Sequence, residues 1–327
     1  MATFRKVAGG YKAEVCVQGI RKSKTWPTKT EAKNWAAQAE FELGQQAKGT
    51  SITHTLGDVF KRYSAEVSQL KKGARWEIVR LNAFCRYTLA SILLIDLKRE
   101  HIEDWMTMRL KTVQPSSVNR ELNLISHCLT QARRWRLMQS NPMEDLKRPK
   151  NPPGRDRRIT DREIEAFLIA SKYAEAAPVV EQQQRVAVAF LFALETAMRA
   201  GEICSLLPED IDLAAKTAHL RETKNGFRRD VALSNRAVEL LVKLQPWGKG
   251  EAVFGLSSGT LSTLAKRAIS RAAISGLTFH DTRHEATTRL ASKMDVLDLA
   301  RMTGHRDIKQ LLTYYNKSAA DIARLLD

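Results

Sequence analysis

The sequence predicts a mainly α-helical protein with small β elements, in three parts. These are a three-stranded sheet plus helix over residues 1–48, a helical domain over 54–146 and a mixed α/β domain over 155–327. Three observations carry this reading. Residues near the start alternate apolar and polar, as strands do. From residue 54 the apolar positions recur at spacings of three and four, as on helices buried along one side. Between the two larger parts lies 147–158, KRPKNPPGRDRR, whose three prolines and six basic residues keep it extended and mark a boundary.

Along Gly10–Val17, Tyr11, Ala13, Val15 and Val17 fall on one side and Lys12, Glu14 and Cys16 on the other. Gln18-Gly19 reads as a hairpin turn, and Ile20–Trp26 returns as a strand bearing Arg21, Lys22 and Lys24. After Pro27, Thr28 and Glu31 form a capping box, opening a helix with Ala32, Trp35, Ala36, Ala39 and Leu43 inward. Residues 48–53, KGTSIT, read as a linker.

Leu56, Val59, Phe60, Tyr63 and Val67 begin the helical part. Further helices are expected near 75–90, 98–112 and 117–138, the last opened by Pro115-Ser116-Ser117. Their polar faces carry Lys71, Lys72, Arg75, Arg80, Arg86, Arg133, Arg134 and Arg136. Trp76, Trp105 and Trp135 stand at helical spacing, where tryptophan is more often core than a stacking platform for bases.

In the last part Thr160 and Glu163 form another capping box. A helix over 182–198 has the apolar centre AVAFLFAL and must be buried; Arg199 stands where it runs out. An arginine so placed is costly unless it meets an anion or a partner such as Glu202, three residues on. Short strands over 217–221 and 230–233 flank ETKNGFRR, whose Asn225-Gly226 is a type I′ hairpin signal that sets Lys224 beside the turn. Helices are expected over 258–275 and 281–293. Short ones follow to the tail 318–327, where Ile322, Leu325 and Leu326 share a face.

The formal net charge is +17, and residues 1–150 hold +13 of it. Arginine and lysine in such excess point to a polyanion, because phosphate contacts supply most non-specific affinity for nucleic acid. Arg157 and Arg158, with the rest of the basic linker, would track a DNA backbone. The four cysteines are far apart and have no paired spacing, which argues for a reducing, cytoplasmic setting and against a disulfide framework or zinc finger. No apolar run approaches the ~18 residues of a membrane span.

Chemistry concentrates in 277–289, LTFHDTRHEATTR, and 302–316, MTGHRDIKQLLTYYN. His280 and Arg283 are three apart, on one face of a helix that Asp281 or Thr282 would cap, and a helix N-terminus attracts anions. His305 is followed nine residues later by Tyr314 and then Tyr315. A phenol ionises only near pH ~10. A reactive tyrosine therefore needs cations and a proton acceptor, the residue types gathered here.

The HDTRH box, the GH dipeptide and the tyrosine nine residues after that histidine resemble the tyrosine recombinases, the phage-integrase class. The resemblance implies a site-specific DNA recombinase that works through a 3′-phosphotyrosyl intermediate, without metal or ATP. Tyr314 would be the nucleophile. Arg199 and Arg283 would hold the non-bridging oxygens, with Glu202 supporting Arg199. His280 would move the tyrosine's proton, His305 would donate to the phosphate and Lys224 would serve from the hairpin. The first part is similar to an integrase arm-binding domain, with Lys12, Arg21, Lys22 and Lys24 toward DNA; the second is similar to a core-binding domain using Lys71, Lys72, Arg75, Arg133 and Arg134. Double-stranded DNA, a homotetramer on it, and DNA-bending and excision proteins are the implied partners. The tail would dock on a neighbouring subunit or fold back on its own core.

The tract over 193–234 looks especially like shufflon recombinases, whereas the N-terminal part looks like phage integrases. Integration and excision of a mobile element is therefore set beside DNA inversion. Family members often carry glycine where Ala197 stands and leucine where Thr282 stands, departures that would alter only a turn and local packing. A DNA-binding regulator without activity fits the charge but has no need of the whole constellation. A type IB topoisomerase shares the chemistry but not the N-terminal part. A metal hydrolase could use His280, His284 and His305, yet Arg283 between them would repel a dication.

Overall fold

The computed structural model describes residues 2–17, 20–47, 51, 53–154, 156–221 and 228–315. The chain divides into two compact units, Met1–Gly154 and Arg155–Asp327. The division falls inside the proline-rich stretch, whose described residues form neither helix nor strand. Lys224, the Gln18-Gly19 turn and the tail 318–327 lie outside the described residues.

The first unit opens with β1 (Ala2–Val7), β2 (Gly10–Val17) and β3 (Ile20–Trp26), an antiparallel sheet in that order, followed by α1 (Lys29–Ala47). Ala13 and Val15 bury against Ala32, Ala36, Ala39 and Leu43 of the helix. Thr28 and Glu31 form the expected reciprocal cap, with backbone-to-side-chain bonds of 3.1 and 3.2 Å. β1 reads ATFRKV, an alternation too weak to show as a strand by itself. Register divides the basic residues between the two faces of the sheet. Lys24 opposes Ala13 and Lys22 opposes Val15, which puts both lysines on the helix side, and Lys22 lies 3.5 Å from Glu42. The other face carries Lys12 and Arg21 together with Arg5, which opposes Lys12.

The unit continues with α2 (Leu56–Glu66), α3 (Ala74–Phe84), α4 (Arg99–Leu110) and α5 (Pro115–Arg134) around Phe60, Ile102, Leu122, Ile125 and Leu129. Thr55 and Asp58 cap α2 reciprocally, and Pro115 opens α5 with its fixed φ. The helix expected to reach residue 90 stops at Phe84. The turn that follows sets Tyr87 edge-on to Trp105, which also meets Phe84 edge-on at 5.5 Å. Trp105 is core, whereas half-buried Trp76 and Trp135 carry the guanidiniums of Arg120 and Arg62 over their rings. Glu121 is buried and takes two bonds from Arg109, at 2.9 and 2.8 Å, beside Arg80 at 3.0 Å.

The second unit is built on α7 (Gln182–Thr196), whose residues from Val186 through Phe190 are almost wholly enclosed. Around it stand α6 (Asp161–Ala170), the short α8 (Ala200–Cys204), α9 (Asn235–Val242), α10 (Ser258–Arg271), α11 (Asp281–Ala291) and α12 (Val296–Thr303). A small sheet, β4 (Ile211–Asp212), β5 (Thr217–Leu220) and β6 (Arg229–Ala232), completes it. Phe190 stacks on Phe167 at 4.1 Å and meets Phe279 edge-on, which fixes α7 against α6 and the start of α11. Burying each such ring contributes about 1.5–3 kcal/mol. The linker is fastened here by Glu285. Its buried carboxylate takes Arg158 at 2.7 and 3.0 Å, Arg289 at 2.7 Å and the Ile159 backbone N–H at 3.1 Å. Arg157 bonds Glu163 and the Ser275 carbonyl. Both arginines expected to track DNA are therefore already engaged within their own unit.

Candidate active site

Helix α7 ends because Ala197 turns left-handed, φ 53°, the conformation glycine would favour there. The chain leaves in extended form, and Arg199 becomes the N-cap of α8. Glu202, three residues on, accepts from the Arg199 backbone N–H at 2.9 Å and from its Nη1 at 2.8 Å. A capping geometry thus fixes the arginine whose position the sequence made suspect.

A second arginine completes this carboxylate. Arg229, the first residue of β6, donates Nη1 and Nη2 to the two oxygens of Glu202 at 3.0 and 2.7 Å, and Nε to the Met302 carbonyl at 2.9 Å. The sequence reading missed it by starting the strand at residue 230. One residue earlier, the period of two puts Arg229 on the inner side with buried Val231. Burial pushes the Glu202 carboxyl up, but the bonds from Arg229 and the Arg199 backbone outweigh it and hold it below the usual range.

Arg283 lies on the first turn of α11 and is 6% exposed. Its Nη1 donates to the Ala197 carbonyl at 2.6 Å and its Nη2 to the Thr303 carbonyl at 2.7 Å. It therefore ties together the C-terminal ends of α7 and α12, where the helix dipole is negative. Burial, then the Arg199 charge, lowers its pKa to about 10, so the guanidinium stays charged at neutral pH. The expected cap is corrected: His280, with an exposed side chain, holds the N-cap position. The Asp281 carboxylate bonds back to Thr278 N and Oγ1 at 2.7 and 2.9 Å, because a tight turn begins there before the helix does. Thr282 is buried with its hydroxyl on the Phe279 carbonyl.

His305 follows Gly304, which ends α12 in the left-handed region at φ 73°. Its Nδ1 is 2.6 Å from Thr303 Oγ1, and that hydroxyl donates its one proton to the Leu299 carbonyl at 2.5 Å. The oxygen must therefore accept, and the imidazole carries its proton on Nδ1. Burial, then Arg283, Arg199 and Arg229, brings the His305 pKa down to about 4. At neutral pH, with no phosphate beside it, its Nε2 presents a lone pair.

Tyr314 sits in a 3-10 turn, Leu312–Tyr314, edge-on to His284 with centroids 5.1 Å apart. His284 Nε2 is 3.7 Å from Asp156 of the linker, and its Nδ1 is buried without a described partner. Burial raises the Tyr314 pKa, while the Arg283 charge opposes that rise. The adjacent Tyr315 has its hydroxyl committed, donating to the Met294 carbonyl at 3.0 Å. The fold thus brings Arg199, Glu202, Arg283, His305 and Tyr314 into one charge field, with Arg229 added. Three guanidiniums and one carboxylate leave the group net positive, a charge that suits an anion. Among the described residues no cluster of His, Cys, Asp or Glu could hold a metal ion, and no helix is long and apolar enough to cross a membrane.

The basic residues expected to meet DNA behave unequally. Lys12, Arg21, Lys72, Arg75, Arg133 and Arg134 are exposed. Lys71 is held by Tyr63 at 2.8 Å and Glu77 at 2.9 Å. Arg133 and Arg134 line a shallow cleft with Arg136, which takes a left-handed turn after α5.

The fold resembles that of a lambda integrase dimer bound to a COC' core site, with a TM-score of 0.69 and 18% identity over 98% of this chain and 95% of that one. It is therefore the tyrosine-integrase fold. An integrase/recombinase of Haemophilus influenzae is 38% identical over 90% of this chain and 97% of its own length. The shufflon-specific DNA recombinase of Escherichia coli is 34% identical over 84% of this chain and 72% of its own. Residues 157–321 match the phage integrase family. The chain belongs to that family, the tyrosine recombinases, enzymes that cleave and rejoin DNA strands.

Proposed function

We propose that the Tyr314 hydroxyl attacks a DNA phosphodiester, forming a Tyr314 O–P bond and breaking the bond to the 5′-oxygen. The products are a 3′-phosphotyrosyl link and a free 5′-hydroxyl, and the reverse attack rejoins a strand. The observation that carries this reading is the group of three guanidiniums, Arg199 and Arg229 bonded to Glu202 and Arg283 acting on them through charge, with Tyr314 and His305 in the same field. Arg199 and Arg283 stabilise the non-bridging oxygens as charge grows. Donors of this kind, preorganised in a site poor in water, are worth roughly 3 kcal/mol each.

His280 takes the phenol proton and Lys224 delivers one to the departing 5′-oxygen. His305 starts neutral. The phosphate's negative charge raises its pKa, so it gains a proton at Nε2 and then donates to the phosphate. Residues 1–48 form an arm-type DNA-binding domain, 54–146 a core-binding domain and 155–327 the catalytic domain. Four copies act on double-stranded DNA in the cytoplasm, aided by DNA-bending and excision proteins, to integrate and excise a mobile element. Inversion is the second reading, favoured by the likeness to the shufflon-specific recombinase.

The test is a duplex taken from the DNA flanking the gene and nicked so that the cleaved fragment diffuses away, incubated with the protein in chelator and without ATP. A protein–DNA adduct on the 3′ side and a new 5′-hydroxyl are expected. A strict need for a divalent ion, or a 5′-linked adduct, would end the proposal.

A further inference from the structure

We infer that Arg229 is a positioning residue for the cleavage reaction, acting through Glu202 on Arg199; the inference rests on the function proposed above. Its guanidinium makes three hydrogen bonds to two separate segments. Two bonds reach the two oxygens of Glu202, on α8, and Nε reaches the Met302 carbonyl, near the end of α12 and three residues before His305. Arg229 itself opens β6, directly after the 222–227 stretch that contains Lys224. One side chain therefore pins the strand after the hairpin, the arginine turn and the His305 segment to a common point.

The chemistry requires such a pin. Glu202 has two oxygens and two arginines to serve, each of its oxygens being shared between them. With Arg229 in place, the carboxylate plane is fixed by two parallel N–H···O bonds, and Arg199 can occupy only one orientation on Oε1. Without it, a carboxylate 6% exposed would rotate toward Arg199 and draw that guanidinium down onto itself, away from an anion. Arg229 is itself almost closed off, its side chain 8% exposed against 25% for Arg199. Arg199 is thus the guanidinium that opens to the substrate, and Arg229 the one that holds from behind. The glycine before His305 is part of the same fit. A Cβ at Gly304 would stand 3.1 Å from Arg229 Nη1 and 3.3 Å from its Cδ.

The experiment compares Arg229→Gln, Arg229→Lys, Arg199→Ala and the double variant Arg199→Ala/Arg229→Gln in single-turnover cleavage of the nicked duplex. DNA affinity and thermal unfolding are measured alongside. Arg229→Gln is expected to slow cleavage by about 10²-fold, on the scale of losing one preorganised donor, with affinity changed less than a few-fold. Arg229→Lys, which cannot fork onto both oxygens, is expected to be slowed nearly as much while melting close to the parent. The double variant should be little slower than Arg199→Ala alone, because the two positions act as a unit.

A methylphosphonate at the scissile position gives a second readout, since it removes a non-bridging charge. It should shrink the defect of Arg229→Lys and of Arg199→Ala alike. Normal cleavage by both Arg229 variants would overturn the inference. So would losses that add fully in the double variant, or a defect equally large on the methylphosphonate, which would mark a structural role. Should the parent form no adduct, or Arg199→Ala cleave normally, the proposed function fails instead.

Discussion

His305 shows how folding sets the chemistry of a single residue. Burial of its imidazole, then the charges of Arg283, Arg199 and Arg229, bring its pKa down from 6.5 to about 4. A depressed pKa means that the unfolded chain binds the proton more readily. The stability this group contributes is therefore present above pH ~6.5 and lost as pH falls through about 4. A phosphate in the pocket reverses the field. DNA binding near pH 5.5 is expected to take up roughly one proton, seen as a difference in binding enthalpy between buffers of unlike ionisation enthalpy, and His305→Gln should abolish it. No uptake in the parent would mean that His305 does not face the phosphate. None of this was legible in the sequence, which marked His305 by its nine-residue distance from Tyr314 but not by its protonation. The three cations acting on it come from segments far apart in the chain.

At the scale of elements, the helices that matter were legible because their burial is written as periodicity. The apolar run of α7 announced both its burial and the odd position of Arg199, and Glu202 three residues on announced its partner. Arg229 was not legible, because strand boundaries blur by a residue or two and the inner position was assigned to the wrong side of that margin. Lys224 lies between β5 and β6 in sequence, outside the described residues. An alkoxide leaves poorly unless a proton arrives as the P–O bond breaks. Lys224→Ala is expected to slow cleavage by about 10²–10⁴-fold, and sulfur in place of the bridging 5′-oxygen should restore most of that rate. It should not restore Arg199→Ala, whose loss lies in charge stabilisation. An equally slow Lys224→Ala on the sulfur substrate would move the acid to Arg228 or His305.

Across the whole molecule, the basic charge and the proposed site are divided between different stretches of chain. Residues 1–150 hold +13 of the +17, whereas the site lies wholly in the second unit. Composition made that division legible; the sheet register, which turns Lys22 and Lys24 toward α1 and exposes Arg5, required the fold. Removing residues 1–48 is expected to leave cleavage of a short core duplex intact and to abolish binding to a second, distal DNA sequence. Lost cleavage would make that part structural. Glu285 anchors Arg158 and Ile159 within the second unit. Burial raises its pKa, but Arg158, Arg289 and the Ile159 N–H together lower it to about 2. Its contribution is therefore present above pH ~4.5 and lost as pH falls through about 2. Glu285→Gln should cost about 1–3 kcal/mol in thermal or denaturant unfolding at pH 7 and much less near pH 2. A loss independent of pH would contradict the ion-pair role.

The central claim is that Tyr314 makes the covalent bond. Its neighbour Tyr315 spends its hydroxyl on the Met294 carbonyl, while Tyr314 lies in the field of Arg283. The direct measurement is adduct formation on the nicked duplex by two variants. Tyr315→Phe is expected to lose about 1 kcal/mol of stability with its hydrogen bond and still to become linked to DNA. Tyr314→Phe is expected to bind DNA and form no adduct. An adduct with Tyr314→Phe, or its loss with Tyr315→Phe alone, would contradict the claim.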